Sequence, residues 1–528
     1  MKNVQLYDTT LRDGAQREGI SFSVEDKIRI AERLDELGVH FIEGGWPGAN
    51  PRDTEFFHRM RGDSLLNSTL VAFGSTRHAR SRAEDDANLQ GLLESKAKAV
   101  TLVGKGSAHQ VTRILKTSLD ENLAMITESI RYLKSRGLTV MFDAEHFFDG
   151  HKSNAEYSMA TIKSAADAGA DCVVLCDTNG GAMPSEVTAI VKAAKKCGVA
   201  LGIHAHNDSE LAVANSLAAV QPGAVHVQGT INGYGERCGN ANLCSIIPAL
   251  KLKMGIDCIS SERLTRLTEI SRYVSEIANL PPDSHLPYVG SSAFGHKAGL
   301  HISAVVKSEK SYQHIDPGLV GNSSRILVSD LAGTNTIVYK AKEHGLDFAS
   351  QSAEAKKILK QIKSLESEGF TFDDAEASFE LLLHRAEPGY ISPFELVDFM
   401  VVVEKLRRPP VSGFEGMLSE AMVKVRVGDV IQHTAAEGNG PVNALDEALR
   451  KGLTLFYPEL ISVRLVDYKV RILEESEGTE AKVRVLIESS DGEREWRTVG
   501  SSTNIIEASW IALADSMEYW LLNRSNNS

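Results

Sequence analysis

Six cysteines in 528 residues include no Cys-x-x-Cys pair, which argues against a cysteine-built metal or redox site. They read as small core residues in a reducing compartment, with Cys238, inside a Gly-rich loop, the one nearest a candidate site. No apolar run approaches the roughly 20 residues needed to span a bilayer, so no membrane partner is expected. The start of the chain enters a strand directly, without a charged segment followed by an apolar stretch, and a cytoplasmic location is expected. Dense Lys/Arg runs are also missing. Lys195-Lys196 and Arg407-Arg408 are isolated pairs in a chain of net charge −13, which excludes a phosphate-binding nucleic-acid surface. No Gly-x-Gly-x-x-Gly follows the first strand, which weakens a doubly wound dinucleotide-binding sheet, the second-ranked architecture.

What the chain has instead is alternation. Hydrophobic content of 42% with 24% charged residues is globular, and the length asks for two or three domains. From residue 4 to about 255, eight short apolar runs beginning at Val4, Val39, Leu70, Ala99, Leu138, Cys172, Val199 and Ala224 alternate with amphipathic stretches such as Val24 to Leu37, Leu119 to Leu133 and Ser185 to Ala194. Ser23 and Ser153 are placed to cap helices. Continuous apolar strands with helical crossovers mean a parallel sheet, and eight repeats predict an α/β fold, a (β/α)8 TIM barrel, over 1–260. Residues 261–410 turn helical and are read as a linker region closed by Pro409-Pro410. Residues 411–528 carry an internal echo, in which strands from Val423 and from Val463 each lead through a Gly-rich turn into a helix. The echo predicts a C-terminal α+β domain with a duplicated strand-strand-helix unit.

The chemistry concentrates in two segments about 190 residues apart, Thr10-Leu11-Arg12-Asp13-Gly14 and His204-Ala205-His206-Asn207-Asp208. Residues i and i+2 of a strand share a face, so His204 and His206 can turn both imidazoles to one point. With Asp13 they make a two-His, one-carboxylate set for Mg, Mn or Zn that leaves positions open for substrate. Arg12 and Asp13 follow the first strand, Glu145 the fifth and Asp177-Thr178 the sixth, all at the face where barrel enzymes keep their chemistry.

These segments, with Gly233-Tyr234-Gly235-Glu236-Arg237-Cys238-Gly239-Asn240-Ala241 and Ala298-Gly299-Leu300-His301, resemble the isopropylmalate, homocitrate and citramalate synthase family. The resemblance runs over essentially the whole chain. Phe142 to Gly150 and Thr371 to Phe379 are most similar to the citramalate branch. The family implies a homodimeric acyltransferase that condenses acetyl-CoA with a 2-oxo acid. In that branch the acceptor is pyruvate, the product (R)-citramalate and the pathway isoleucine biosynthesis. It implies Asn240 as a fourth metal ligand beside Asp13, His204 and His206. Arg12 would stabilise developing oxyanion charge, and Glu145 would orient Arg12 or share a proton with the new hydroxyl. Thr178 and Gln16 would hold the substrate carboxylate. His301 matches the catalytic base, delivered from the partner subunit, and Tyr312 its companion. The C-terminal domain resembles a LeuA-type dimerisation and regulatory domain, which implies feedback by isoleucine. Two departures stand out: Ser303 replaces the usual acid two positions after the base, and Asp143-Ala144 precede Glu145 where sister enzymes often carry Ser-Pro. Another acceptor, as in isopropylmalate or homocitrate synthases, is the alternative. Metal-dependent aldol cleavage, as in the hydroxymethylglutaryl-CoA lyases, ranks below it.

Overall fold

Eight parallel strands close on themselves in the computed structural model: β1 (Gln5–Asp8), β2 (Phe41–Gly45), β3 (Thr69–Ser75), β4 (Ala99–Lys105), β5 (Thr139–Glu145), β6 (Cys172–Asp177), β7 (Ala200–Ala205) and β8 (His226–Gly229). The structure describes residues 3–61, 65–297, 299–329, 332–346, 353–404, 418–473 and 481–524. Closure is made by β8 running beside β1, with Gln5 opposite His226 and Asp8 opposite Gly229. Alternate side chains point inward, so Tyr7, Val71, Ala99, Met141, Cys172, Val174 and Cys176 fill the barrel interior. The opposite faces of the strands meet the helices in a second, larger core.

The first crossover shows how the helices are set. Ser23 accepts from the Asp26 backbone N–H at 3.1 Å while the Asp26 carboxylate accepts from the Ser23 N–H at 2.8 Å. The helix Val24–Leu37 then runs until Gly38, at φ 84°, ends it. Ile30, Leu34 and Leu37, all fully buried, form its core-facing stripe. Ser153 is not a cap. It is the last residue of an extra helix, Phe147–Ser153, and Asn154 caps the next, Ala155–Asp167, accepting from the Tyr157 N–H at 3.1 Å. Two adjacent polar residues before a helical pattern both carry the signal, and the short extra helix uses up the first.

The chain divides into two units, Met1–Phe294 with His314–Ser324, and Gly295–Gln313 with Arg325–Ser528. In the second unit β9 (Gly295–His296) pairs with β10 (Arg325–Ile326), and the helices Thr334–Glu343, Ala353–Ser367 and Glu376–Arg385 pack around Ile337, Ile358, Ile362, Phe372 and Phe379. Pro409-Pro410 and Arg407-Arg408 lie outside the described residues. The terminal repeat is larger than expected. β11 (Glu395–Glu404), β12 (Leu418–Val427) and β13 (Val430–Gly438) lead into the helix Pro441–Leu453. β14 (Arg464–Ile472), β15 (Val483–Ser490) and β16 (Glu495–Ser502) lead into Ile505–Asn523. Each copy is therefore βββα, with a third strand that the Gly-rich turns alone do not mark. Leu445, Leu449, Trp510, Leu513 and Met517 of the two helices share one core with Val423, Val425, Val485 and Ile487.

His226 stands out in the barrel floor. It is fully buried, 5.1 Å from the Tyr7 ring centroid, with neither ring nitrogen partnered. Burial, aided by His40, holds its pKa down at about 3, against an ordinary value of 6.5. Between those values the unfolded chain takes up a proton that the folded chain refuses, so stability is full above 6.5 and falls as pH drops toward 3. His226→Leu is expected to flatten part of the fall in melting temperature between pH 6.5 and 4, read by circular dichroism; an unchanged slope assigns that sensitivity elsewhere.

Candidate active site

Asp13 reaches its place through a tight turn after β1. The Asp8 carboxylate accepts from the Thr10 N–H at 2.8 Å and the Thr10 hydroxyl at 2.9 Å, and Thr10 Oγ1 in turn accepts from the Ile231 N–H at 2.9 Å. That chain of bonds pins the first loop to the eighth. Burial raises Asp8 to about 7 against these bonds. His204 lies in β7 and His206 just past its end, where His206 bridges Asn240 in an isolated antiparallel pair.

The three expected ligands converge. Asp13 Oδ2 lies 3.2 Å from His204 Nε2 and 3.9 Å from His206 Nε2, and the two Nε2 atoms are 3.2 Å apart. All three side chains are buried, with donor atoms within 4.8 Å of one another. Two imidazole nitrogens facing each other beside a carboxylate are poorly satisfied by one another and well satisfied by a cation between them. Asn240 donates its amide N–H to Asp13 Oδ2 at 2.9 Å and leaves a buried Oδ1 without a partner, an oxygen suited to a hard cation. The donor set therefore fits a divalent ion. Gly235, at φ 155°, is required here: a Cβ would sit 2.6 Å from Asn240 Oδ1.

The electrostatics follow from burial. Burial alone would raise Asp13, but the Arg12 charge and the His204 contact overcome it and hold the carboxyl far below its usual range. His206 is pushed down to about 4 by burial and by its neighbour His204, so it stays neutral and able to ligate. Burial lifts Asp143 to about 7, opposed by the charges of His204 and Arg12.

Arg12 is clamped on two sides. Its Nε donates to Glu43 Oε2 at 2.6 Å and its guanidinium lies 3.9 Å from the Phe73 ring centroid. Glu43, fully buried, also accepts from the Tyr7 and Thr9 hydroxyls, each at 2.5 Å. Sequence reasoning offered Glu145 for this orienting role or for sharing a proton with the new hydroxyl; the structure sets Glu43, in the middle of the neighbouring strand β2, against Arg12. Glu145 instead pairs with Lys105 at the end of β4. Glu43, Phe73, Lys105 and Gln228 were all missed. The available signal was a charged or polar residue within an apolar strand run, as in Phe41-Ile42-Glu43-Gly44-Gly45.

A cavity of about 960 Å³ opens above these groups, and Arg12, Asp13, Gln16, Glu145, Thr178 and both histidines line it. Thr178 Oγ1 accepts from the His146 N–H at 2.8 Å, which leaves its hydroxyl hydrogen free for a ligand. Arg237 fastens the loops around it, with two bonds to Asp208 at 2.7 and 2.9 Å and one to the Thr178 carbonyl at 2.8 Å. Cys238 is exposed beside it. His301 and Tyr312 belong to the second unit, where their rings stack with centroids 4.3 Å apart. Ala298, in the same motif, lies outside the described residues.

The HMGL-like family model matches residues 3–274, which span the barrel. The homocitrate synthase post-HMGL domain-like model matches 288–369, and the LeuA allosteric (dimerisation) domain matches 375–521. An (R)-citramalate synthase of Geobacter sulfurreducens is 53% identical over 99% of this chain and 98% of its own. That of Aquifex aeolicus is 54% identical over the same shares. The chain belongs to the (R)-citramalate synthase family. A 2-isopropylmalate synthase of Methanocaldococcus jannaschii is 31% identical over 99% of this chain and 95% of its own, a more distant branch.

Removing a ligand should be felt as lost metal, not lost fold. Asp13→Asn and His204→Ala are each expected to weaken Mn²⁺ binding by more than about 100-fold in calorimetric titration. Wild-type affinity in either variant would refute the ligand assignment.

Proposed function

We propose that this chain joins the methyl carbon of acetyl-CoA to the ketone of pyruvate and hydrolyses the thioester, releasing (R)-citramalate and CoA. The convergence of Asp13, His204 and His206 beside a clamped Arg12 carries the reading. Asp13, His204, His206 and Asn240 would hold Mg, Mn or Zn. Such an ion, when bound, anchors a 2-oxo acid and makes its carbonyl carbon electrophilic.

The chain's own residues supply the rest. Arg12 cannot lose its proton and is held by Glu43 and Phe73, so its charge stands ready for the oxygen that becomes negative as the carbon bond forms. Thr178 gives its free hydroxyl hydrogen to the substrate carboxylate, and Gln16 contacts the same end. Glu145, paired with Lys105 at the cavity wall, shares a proton with the new tertiary hydroxyl. His301 removes the methyl proton as general base, with Tyr312 stacked against it, and reaches the site from the partner subunit.

A homodimer is supported by the match to a dimerisation domain and by apolar side chains exposed on its outer strands, including Met400 (49%), Ile431 (53%) and Val466 (56%). Isoleucine is the proposed effector. The same domain carries an open cavity of about 780 Å³ with Asn443, Asp446, Arg450 and Tyr468 in its wall, with room and polar groups for an amino acid. A cytoplasmic setting is proposed, and the described residues contain no helix long and apolar enough to cross a membrane.

Thiol release from acetyl-CoA, measured with a panel of 2-oxo acids before and after chelation, tests the reaction. Pyruvate is expected to be preferred and chelation to abolish turnover; preference for 2-oxoisovalerate or 2-oxoglutarate overturns the acceptor, and chelator-resistant turnover overturns the metal. Truncation after residue 410 tests regulation. The shortened enzyme is expected to lose its response to isoleucine, and a truncated form still inhibited by isoleucine removes that role from the C-terminal domain.

A further inference from the structure

The two metal-facing histidines are not equivalent. His206 Nδ1 is buried with no partner, so nothing in the fold chooses its tautomer. His204 Nδ1 lies 2.8 Å from Gln228 Oε1, and Gln228 Nε2 donates to Asp143 Oδ1 at 3.1 Å. Gln228 is wholly buried and Asp143 is 3% exposed, so water does not compete for these bonds.

The orientation of the Gln228 amide is fixed by its neighbours. In its ionised form Asp143 only accepts, so it draws the amide N–H to itself and turns the amide oxygen toward His204. An oxygen in that place needs a proton on His204 Nδ1. The Nε2 lone pair is then left facing Asp13 and His206, the direction in which a ligand must donate. The opposite amide orientation would set oxygen against the Asp143 carboxylate and put the imidazole proton on Nε2, where it blocks coordination.

We propose that Asp143 and Gln228 are positioning residues for the metal site, a two-bond relay that keeps a proton on His204 Nδ1 and so leaves Nε2 as the atom that donates to an ion. The relay crosses the barrel from β5 to β8 and thence to β7, so residues from three strands prepare one lone pair. A plain structural role would be served equally by an apolar filling of the same space. The relay would not.

The inference rests on the divalent site proposed above, and the experiment separates the two. Full-length demetallated protein is titrated with Mn²⁺, the free ion is read by electron paramagnetic resonance, and the melting temperature of each apo form is recorded alongside. Gln228→Leu and Asp143→Leu are expected to weaken Mn²⁺ binding about 10- to 100-fold with little change in apo melting. Gln228→Glu, which keeps an acceptor against Nδ1 and can share one proton with Asp143, is expected to bind within about threefold of wild type. Unchanged affinity in Gln228→Leu, or an equal loss in Gln228→Glu and Gln228→Leu, overturns the relay. Should Gln228→Leu fail to fold, Asp143→Leu decides, and wild-type affinity there overturns it. Wild-type protein that takes up no Mn²⁺ overturns the metal reading itself and the relay with it.

Discussion

A carboxylate that keeps its charge out of water is the constraint from which the barrel's upper face is built. Asp13 is 3% exposed, and an isolated buried carboxylate would simply take up a proton. It remains ionised because Arg12, His204 and the Asn240 amide surround it. Each of those groups then needs support of its own: Glu43 and Phe73 for Arg12, Gln228 and Asp143 for His204, and the glycines of the eighth loop for Asn240. The chemistry of the site and the satisfaction of its buried charges are one network.

The barrel was legible because a parallel sheet covered on both faces writes itself as uninterrupted apolar runs between amphipathic helices. The ligands were legible for a related reason. A His-x-His at a strand end and an Arg-Asp-Gly after the first strand are local patterns whose direction follows from the period of a strand. The partner of Arg12 was not legible. Glu43 lies midway along β2 and Glu145 ends β5, and only the order of strands around the barrel tells which is near. β2 is hydrogen-bonded to β1, whereas β5 lies between β4 and β6. Sequence supplies the acids and topology supplies the distances.

The C-terminal repeat was half legible for another reason. The helix and two strands of each copy stand out, but β11 of the first and β16 of the second do not, and Gly500 to Ser502, which read as a turn, is the end of β16. β11 precedes the Pro409-Pro410 signal that was taken as the domain's start, although its partner β12 follows it. A strand's membership in a sheet is a pairing fact, and punctuation in the chain does not report pairing. Ser153 and Asn154 teach the same lesson on a smaller scale: both residues can cap, and the fold uses one.

The bond from Ile231 N–H to Thr10 Oγ1 joins residues 221 positions apart, and that from Asn240 to Asp13 joins residues 227 apart. Until the eighth strand has docked, the loop that carries Asp13 lacks its bond from the Ile231 N–H, and Asp13 lacks the Asn240 amide. A nascent chain released before residue 240 would hold Asp13, His204 and His206 yet lack the Asn240 amide that completes the donor set. The seam between first and last strands thus places the last piece of the site at the end of the barrel's synthesis.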